Sequence, residues 1–345
     1  MKRTLVFMSL VLLAAGLAHA QTITEFPVPT SNSWPLFIAP GPDGALWFTE
    51  YQAGNIGRLT TDGFVTDEFP IPTASSHPIG IVAGPDGALW FTEFDAGKIG
   101  RMTTEGAFTE FPLPLPSSAP SGIATGPDGA LWFTEYSSGK IGRITTEGAV
   151  SEYPIPTPDS FPRGIVVGSD GALWFAESET SRIGRVTTAG AAEDFATPTP
   201  SSGSNRLCAG PDGAIWFTEE NGNQVGRITT AGTFTDEFQV PTHGSVPFEI
   251  VAGPDGALWF TEQFGNRIGR ITTDGTIDEF PIPTAASNPF GIVVGPDGAL
   301  WFAEKVGNKI GRLELPALPT GPRSPILPVR PRDRRPLTVP ERPTS

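Results

Sequence analysis

The stretch Gly126-Pro127-Asp128-Gly129-Ala130-Leu131-Trp132-Phe133-Thr134-Glu135 reads as a tight turn feeding one buried strand. Pro127 presets the backbone for a turn, and Gly129 accepts a positive φ without steric cost. From Ala130 to Glu135 the chain is apolar nearly throughout rather than alternating, which suits a strand covered on both faces. Just upstream, Ser121 to Thr125 forms another short strand. Downstream come a loop from Tyr136 to Gly139, a strand from Lys140 to Thr146, a hairpin turn at Glu147-Gly148 and a last strand from Ala149 to Tyr153. An acid-Gly pair between β-branched runs is a good hairpin turn. The unit is therefore four strands, called a, b, c and d.

The unit recurs. Gly-Pro-Asp-Gly starts at Gly41, Gly84, Gly126, Gly210, Gly253 and Gly295, with Gly-Ser-Asp-Gly at Gly168, in steps of 43, 42, 42, 42, 43 and 42 residues. Each turn leads to a tryptophan (Trp47, Trp90, Trp132, Trp174, Trp216, Trp259, Trp301), then a glutamate (Glu50, Glu93, Glu135, Glu177, Glu219, Glu262, Glu304), then the arginine of Ile/Val-Gly-Arg (Arg58, Arg101, Arg143, Arg185, Arg227, Arg270, Arg312). Length alone would suggest two domains. Seven four-stranded units at this period instead predict one all-β ring, a seven-bladed β-propeller over residues 21–314. A solenoid would need polar capping units, and the last copy keeps its full apolar strand b. After that copy no strand d follows. The matching segment is Thr22-Ile23-Thr24-Glu25-Phe26-Pro27, so the N-terminal strand is expected to complete blade seven and close the ring.

The flanks differ from the ring. Residues 1–20 read as a secretory signal peptide: Lys2 and Arg3, an apolar run from Leu5 to Leu17, and the small-x-small site Ala18-His19-Ala20. The run is too short to favour a membrane span. An exported protein, periplasmic or secreted, starting at Gln21 is expected. Residues 315–345 read as a Pro/Arg-rich extended tail, with prolines every third residue from Pro316 to Pro331. The whole chain carries −14, and with both basic flanks set aside the body from Gln21 to Glu314 is left at −20. Such a body repels phosphate backbones and argues against a nucleic-acid partner. Cys208 is the only cysteine and reads as a small apolar strand residue.

The units Gly-Pro-Asp-Gly-Ala-Leu-Trp-Phe-Thr-Glu and Lys-Ile-Gly-Arg-Ile-Thr-Thr resemble those of the virginiamycin B lyase (streptogramin lyase) family, across Gln21 to Leu313. The resemblance implies a seven-bladed propeller and a magnesium-assisted elimination that linearises type B streptogramins. Such a reaction needs a base to take a proton and a cation or acid to stabilise the developing charge. The family pattern implies a Glu-x-His before strand a in one blade, with the histidine 14 residues before the Trp-Phe-x-Glu glutamate. The two glutamates would hold the metal, and a second histidine would stand at the same position one blade earlier.

In this chain the histidine positions hold Leu36, Ile79, Ser121, Arg163, Asn205, Phe248 and Phe290, and the positions two residues earlier hold Trp34, His77, Ala119, Phe161, Gly203, Val246 and Asn288. The base and one metal ligand are missing. Beyond residue 20 the histidines are His77 and His243, expected in loops nearly opposite each other.

Residues present seven times read as blade structure: the glutamates and arginines are expected to support turns and neighbouring strands. The alternative is a carboxylate ring near the central channel that binds a cation, with the arginines as counter-charges. Function is sought where the repeat breaks. The d-a and b-c loops open on one face. At the start of strand a they bring Trp34, Arg163, Asn205, Arg206, Phe248, Glu249 and Phe290, the candidate binding residues. Phe37, Arg206 and Glu249 replace a glycine kept at Gly80, Gly122, Gly164 and Gly291. The b-c loops begin with Tyr51, Phe94, Tyr136, Ser178, Glu220, Gln263 and Lys305, giving an aromatic side and a polar side.

That face suits a small-molecule, peptide or glycan ligand. The sequence favours an exported ligand-binding or scaffold propeller, a monomer with no assigned cofactor, metal ligand or catalytic residue. The alternative is a lyase of the streptogramin type, needing Mg²⁺, on a cyclic depsipeptide or related substrate.

Overall fold

The computed structural model describes residues 21–315. The signal-peptide reading of residues 1–20 and the tail beyond Leu315 lie outside the described residues. Within them the chain forms seven four-stranded antiparallel sheets and no helix, and strand order follows sequence in six of the seven. In the third blade strand a is Pro120–Thr125, b is Leu131–Glu135, c is Lys140–Ile144 and d is Val150–Pro154. The strands a of neighbouring blades pack on one another around the axis.

The seventh sheet closes the ring as the sequence required. Ile23–Pro27 pairs antiparallel with Lys309–Leu313, Phe26 opposite Ile310. The join is fastened by side chains. Asn308 accepts from the Ser33 N–H at 2.8 Å and donates to the Val28 and Thr30 carbonyls. Glu25 receives the Thr284 N–H and hydroxyl at 2.8 Å each and the Lys309 ammonium at 2.9 Å. The first of these devices repeats as Asn223 to Ser245 and Asn266 to Ser287, and the second as Thr73 to Glu110 and Thr242 to Glu279. The closure is thus built from ordinary inter-blade contacts.

The end carrying the Gly-Pro-Asp-Gly turns shows why the sequence repeats so strictly. In blade three, Asp128 Oδ1 accepts the Trp132 indole N–H at 3.0 Å, and Oδ2 accepts the Arg143 Nε–H at 2.7 Å. The guanidinium lies 6.0 Å from the Trp132 ring, whose other neighbour is Tyr153 of strand d at 5.3 Å. All seven blades carry this Trp-Asp-Arg clamp. Burial alone would raise the Asp128 carboxyl. The Trp132, Arg143 and Ala130 hydrogen bonds outweigh it and hold the group below the usual aspartate range.

Packing fixes the glycine of Ile/Val-Gly-Arg as well. The Phe133 ring lies over Gly142, where a Cβ would sit 2.1 Å from the ring. The seven strand-b tryptophans and the phenylalanines beside them are fully buried, and they form the core between blades. Each is worth about 3–5 kcal/mol by the measure of truncation to alanine.

Candidate functional site

The opposite end of the ring is assembled by one backbone device used seven times. The last residue before strand a takes a left-handed conformation: Trp34, His77, Ala119, Phe161, Gly203, Val246 and Asn288 all have φ between 48° and 70°. Only one is glycine, so six side chains hold a conformation that costs energy. The carbonyl of each accepts the first N–H of the b-c loop in its own blade, as in Tyr51 to Trp34 at 3.0 Å and Tyr136 to Ala119 at 3.1 Å. The d-a and b-c loops are thereby locked side by side. Strand a then bulges: Pro120 pairs with Glu135 but the regular ladder resumes only at Ile123. Five blades recover the lost pairing through the strand-b threonine. Thr134 accepts the Gly122 N–H at 2.9 Å and donates to the Arg163 carbonyl of the next blade at 2.7 Å.

The bulge sends two positions toward the axis, and these make two connected spaces. The upper is a mouth of about 210 Å³. Leu36, Ile79, Ser121, Arg163, Phe248 and Phe290 form its lower wall and Tyr51, Phe94 and Tyr136 its rim. Six of the seven positions at which the family resemblance called for a histidine therefore line one cavity. The lower space is a channel of about 140 Å³, lined by the next position in every blade: Phe37, Gly80, Gly122, Gly164, Arg206, Glu249 and Gly291. Phe37 and Arg206 border both spaces. The four glycines lie where neighbouring strands approach closely. A Cβ on Gly122 would stand 2.3 Å from the Arg163 carbonyl oxygen.

The charged groups here are unusual. Arg206 is 5% exposed, and its guanidinium lies 4.4 Å from the Phe37 ring across the channel and 5.4 Å from Phe248. Its Nε is buried without a hydrogen-bond partner, and Glu249 Oε2 stands 3.7 Å away, beyond hydrogen-bond reach. Burial pushes the Arg206 guanidinium down to about 10 and the Glu249 carboxyl up to about 7, each against the other's attraction. Arg163 lies over Tyr136 at 5.1 Å and donates to Ser178 Oγ at 3.3 Å.

Of the candidate binding residues, the structure brings Arg163, Arg206, Phe248 and Phe290 together at the mouth and sets Glu249 in the channel below. Trp34 and Asn205 stand apart. Trp34 is exposed at the outer rim, 6.3 Å from Tyr51, with the Lys305 ammonium 4.7 Å from its ring. Asn205 is fully buried and donates to Glu220 at 2.5 Å. Sequence reasoning missed the cross-channel reach of Arg206 to Phe37. Repeat position gives the height and radius of a residue, but not how far a long side chain extends. It also gave no sign of a groove of about 490 Å³ lined by Glu220, Asn223, Gln239 and His243.

The alternative reading of the repeated glutamates, a carboxylate ring near the channel, is not what the structure forms. They do not ring the channel, and the repeated arginines do not neutralise them. Trp132 pairs with Arg143 but Glu135 with Lys140, so glutamate and arginine sit at opposite ends of the blade. Each glutamate is fully buried at the mouth end of strand b. Desolvation first, then the strand-d acid Glu68, pushes Glu50 up to about 8, and Glu93, Glu177, Glu262 and Glu304 rise equally. Cys208 is buried as read, and burial pushes its thiol well up.

His77 stacks on Tyr51 at 4.6 Å and bonds Asp95 through Nδ1, while His243 lies in the separate groove. Among the described residues no cluster of three or more His, Cys, Asp or Glu side chains can hold a metal ion. In none of the seven blades does the position where the resemblance asks for the base carry an imidazole, and in none does the position two residues earlier carry a carboxylate. The donor set does not fit Mg²⁺.

Comparison with known proteins agrees on the fold. Residues 13–190 and 165–318 match the model of the virginiamycin B lyase family. The solved virginiamycin B lyase from Staphylococcus aureus is 42% identical, with a TM-score of 0.82, covering 86% of this chain and all of that one. A streptogramin B lyase structure is 41% identical at the same TM-score, covering 86% of this chain and 98% of that one. A catalytically inactive histidine-to-alanine variant of the S. aureus enzyme, solved with quinupristin, matches at 41% identity and a TM-score of 0.82, over 86% of this chain and all of that one. Family match and structural likeness over 86% of its length together show that this chain belongs to the virginiamycin B lyase family.

Proposed function

We propose that this chain is an exported propeller that binds a small amphipathic ligand at its mouth and does not carry out the elimination chemistry of its relatives. The observation that carries the reading is the occupancy of the histidine positions. Phe248 and Phe290 stand at two of the seven, with ring centroids 4.6 Å apart, so an apolar contact fills two of the places a base would take. The S. aureus relative that lost one histidine is described as catalytically inactive. This chain has no histidine at any of the seven positions. Recognition survives such a loss, because binding needs shape, aromatic surface and a few polar groups rather than a proton acceptor.

The test is incubation of the full chain with quinupristin and Mg²⁺, followed by mass. Quinupristin of unchanged mass is the expected result, and metal-dependent ring opening overturns the reading. The basic start, apolar run and Ala18-His19-Ala20 site support export. Fractionation of cells producing the full chain tests it, and retention of the whole chain in the cytoplasm contradicts it.

A further inference from the structure

We infer that the ligand of the mouth carries both an aromatic ring and a carboxylate, and that Arg206 is the carboxylate's anchor. The inference rests on the reading of the mouth as a binding site and adds the chemical class of its ligand.

Arg206 is 5% exposed and yet its Nε has no hydrogen-bond acceptor. A buried donor left without a partner is costly, and more so when charged. The Phe37 and Phe248 rings hold the guanidinium by cation-π contact at 4.4 and 5.4 Å but accept no hydrogen bond. Glu249 at 3.7 Å is too far to close the pair, and burial pushes its carboxyl up to about 7, so it competes weakly with an incoming anion. Arg206 is one of the residues that line the mouth cavity. A planar guanidinium with an unpartnered Nε, on a residue that borders a cavity, matches a carboxylate, which accepts two parallel hydrogen bonds.

The rest of the mouth selects what the carboxylate is attached to. Tyr51, Phe94, Tyr136 and Phe290 surround the space above Arg206. Arg163 over Tyr136, and Lys305 4.9 Å from the Phe290 ring, add positive charge around it. A cationic ligand is repelled here although the body of the protein is strongly acidic. An aromatic acid meets a ring surface and a cation together.

The experiment is calorimetric titration of the full chain with N-acetyl-L-phenylalanine and with its primary amide, which differ only in the charge at one end. Binding of the acid about tenfold tighter than the amide is expected, with the preference lost in Arg206→Met and partly kept in Arg206→Lys. Two further acids separate the sources of such a group: phenylacetate for a free aromatic acid, and a Gly-Gly-Phe tripeptide for a peptide C-terminus. Equal affinity for acid and amide overturns this inference and leaves the mouth reading standing. Absence of binding by both overturns the two together. The wild-type comparison needs no variant, so a misfolded Arg206→Met does not decide the matter.

Discussion

The two ends of the ring are built from the same seven units and obey opposite rules. At one end, seven aspartates hold seven tryptophans and seven arginines in one repeated arrangement. At the other, the backbone is equally regular, with seven left-handed residues and seven loop-to-loop hydrogen bonds, but the side chains it displays vary from blade to blade. A position that never varies within a molecule answers to the blade. A position that varies on an invariant backbone is free to answer to a ligand. The strand-a ring shows this within one layer: glycine in four blades, and Phe37, Arg206 and Glu249 in the other three.

The largest way to break the contrast is to open the ring. Deleting Gln21 to Thr30 removes strand d of blade seven together with the Glu25 and Thr30 contacts. The melting temperature is expected to fall on the order of 10 °C or more, since two sheet edges and a core face open at once. An unchanged melt shows the closure to be dispensable. One step smaller, Trp132→Ala should cost about 3–5 kcal/mol in denaturant unfolding. Asp128→Ala strands the indole and guanidinium donors and should cost about 1–3 kcal/mol. Costs near zero at both positions would strip the uniform end of its structural role.

The ends also differ in their response to pH. The clamp aspartates are depressed on folding, so their contribution is present above the ordinary aspartate value of 3.8 and is lost as pH falls through their folded values. The buried glutamates are raised from 4.5 to about 8 in five blades, so the folded state holds more protons than the unfolded one. Their contribution is full below 4.5 and is lost as pH rises through 8. Stability should therefore peak in mild acid, near pH 4.5, and decline toward pH 8 in a series of denaturant melts. A maximum at or above pH 8 contradicts the burial of these carboxyls.

The smallest expected effect on stability is at the mouth. Arg206→Met with Glu249→Gln replaces a loosely closed buried pair by groups of similar size. It should leave the unfolding free energy within about 1 kcal/mol of wild type, or raise it. A loss of several kcal/mol would make the pair part of the fold.

The fold was legible in the sequence because its determinants are local and repeated. The Gly-Pro-Asp-Gly turn, the apolar strand b and the acid-Gly hairpin each declare themselves within ten residues, and the displaced Thr-Glu-Phe-Pro segment gave away the closure. The mouth was legible in part, because departures from the repeat named Arg163, Arg206, Phe248 and Phe290. Trp34 and Asn205 depart from it too, yet one turns to the outer rim and the other bonds Glu220. The choice between them is made by rotamers and by neighbours from other blades, which no single repeat contains. The alternative of a glutamate ring neutralised by the arginines fails on register. Antiparallel pairing sets Glu135 opposite Lys140 and Trp132 opposite Arg143, so glutamate and arginine stand at opposite ends of the blade.

The most direct test is a hydrogen-exchange footprint of the full chain with and without saturating N-acetyl-L-phenylalanine. The account predicts slowed exchange in peptides covering Arg163, Arg206, Phe248, Phe290 and the loops at Tyr51 and Tyr136, with no change at the seven Asp-Gly turns of the opposite end. Protection confined to those turns, or spread evenly over all seven blades, would contradict it.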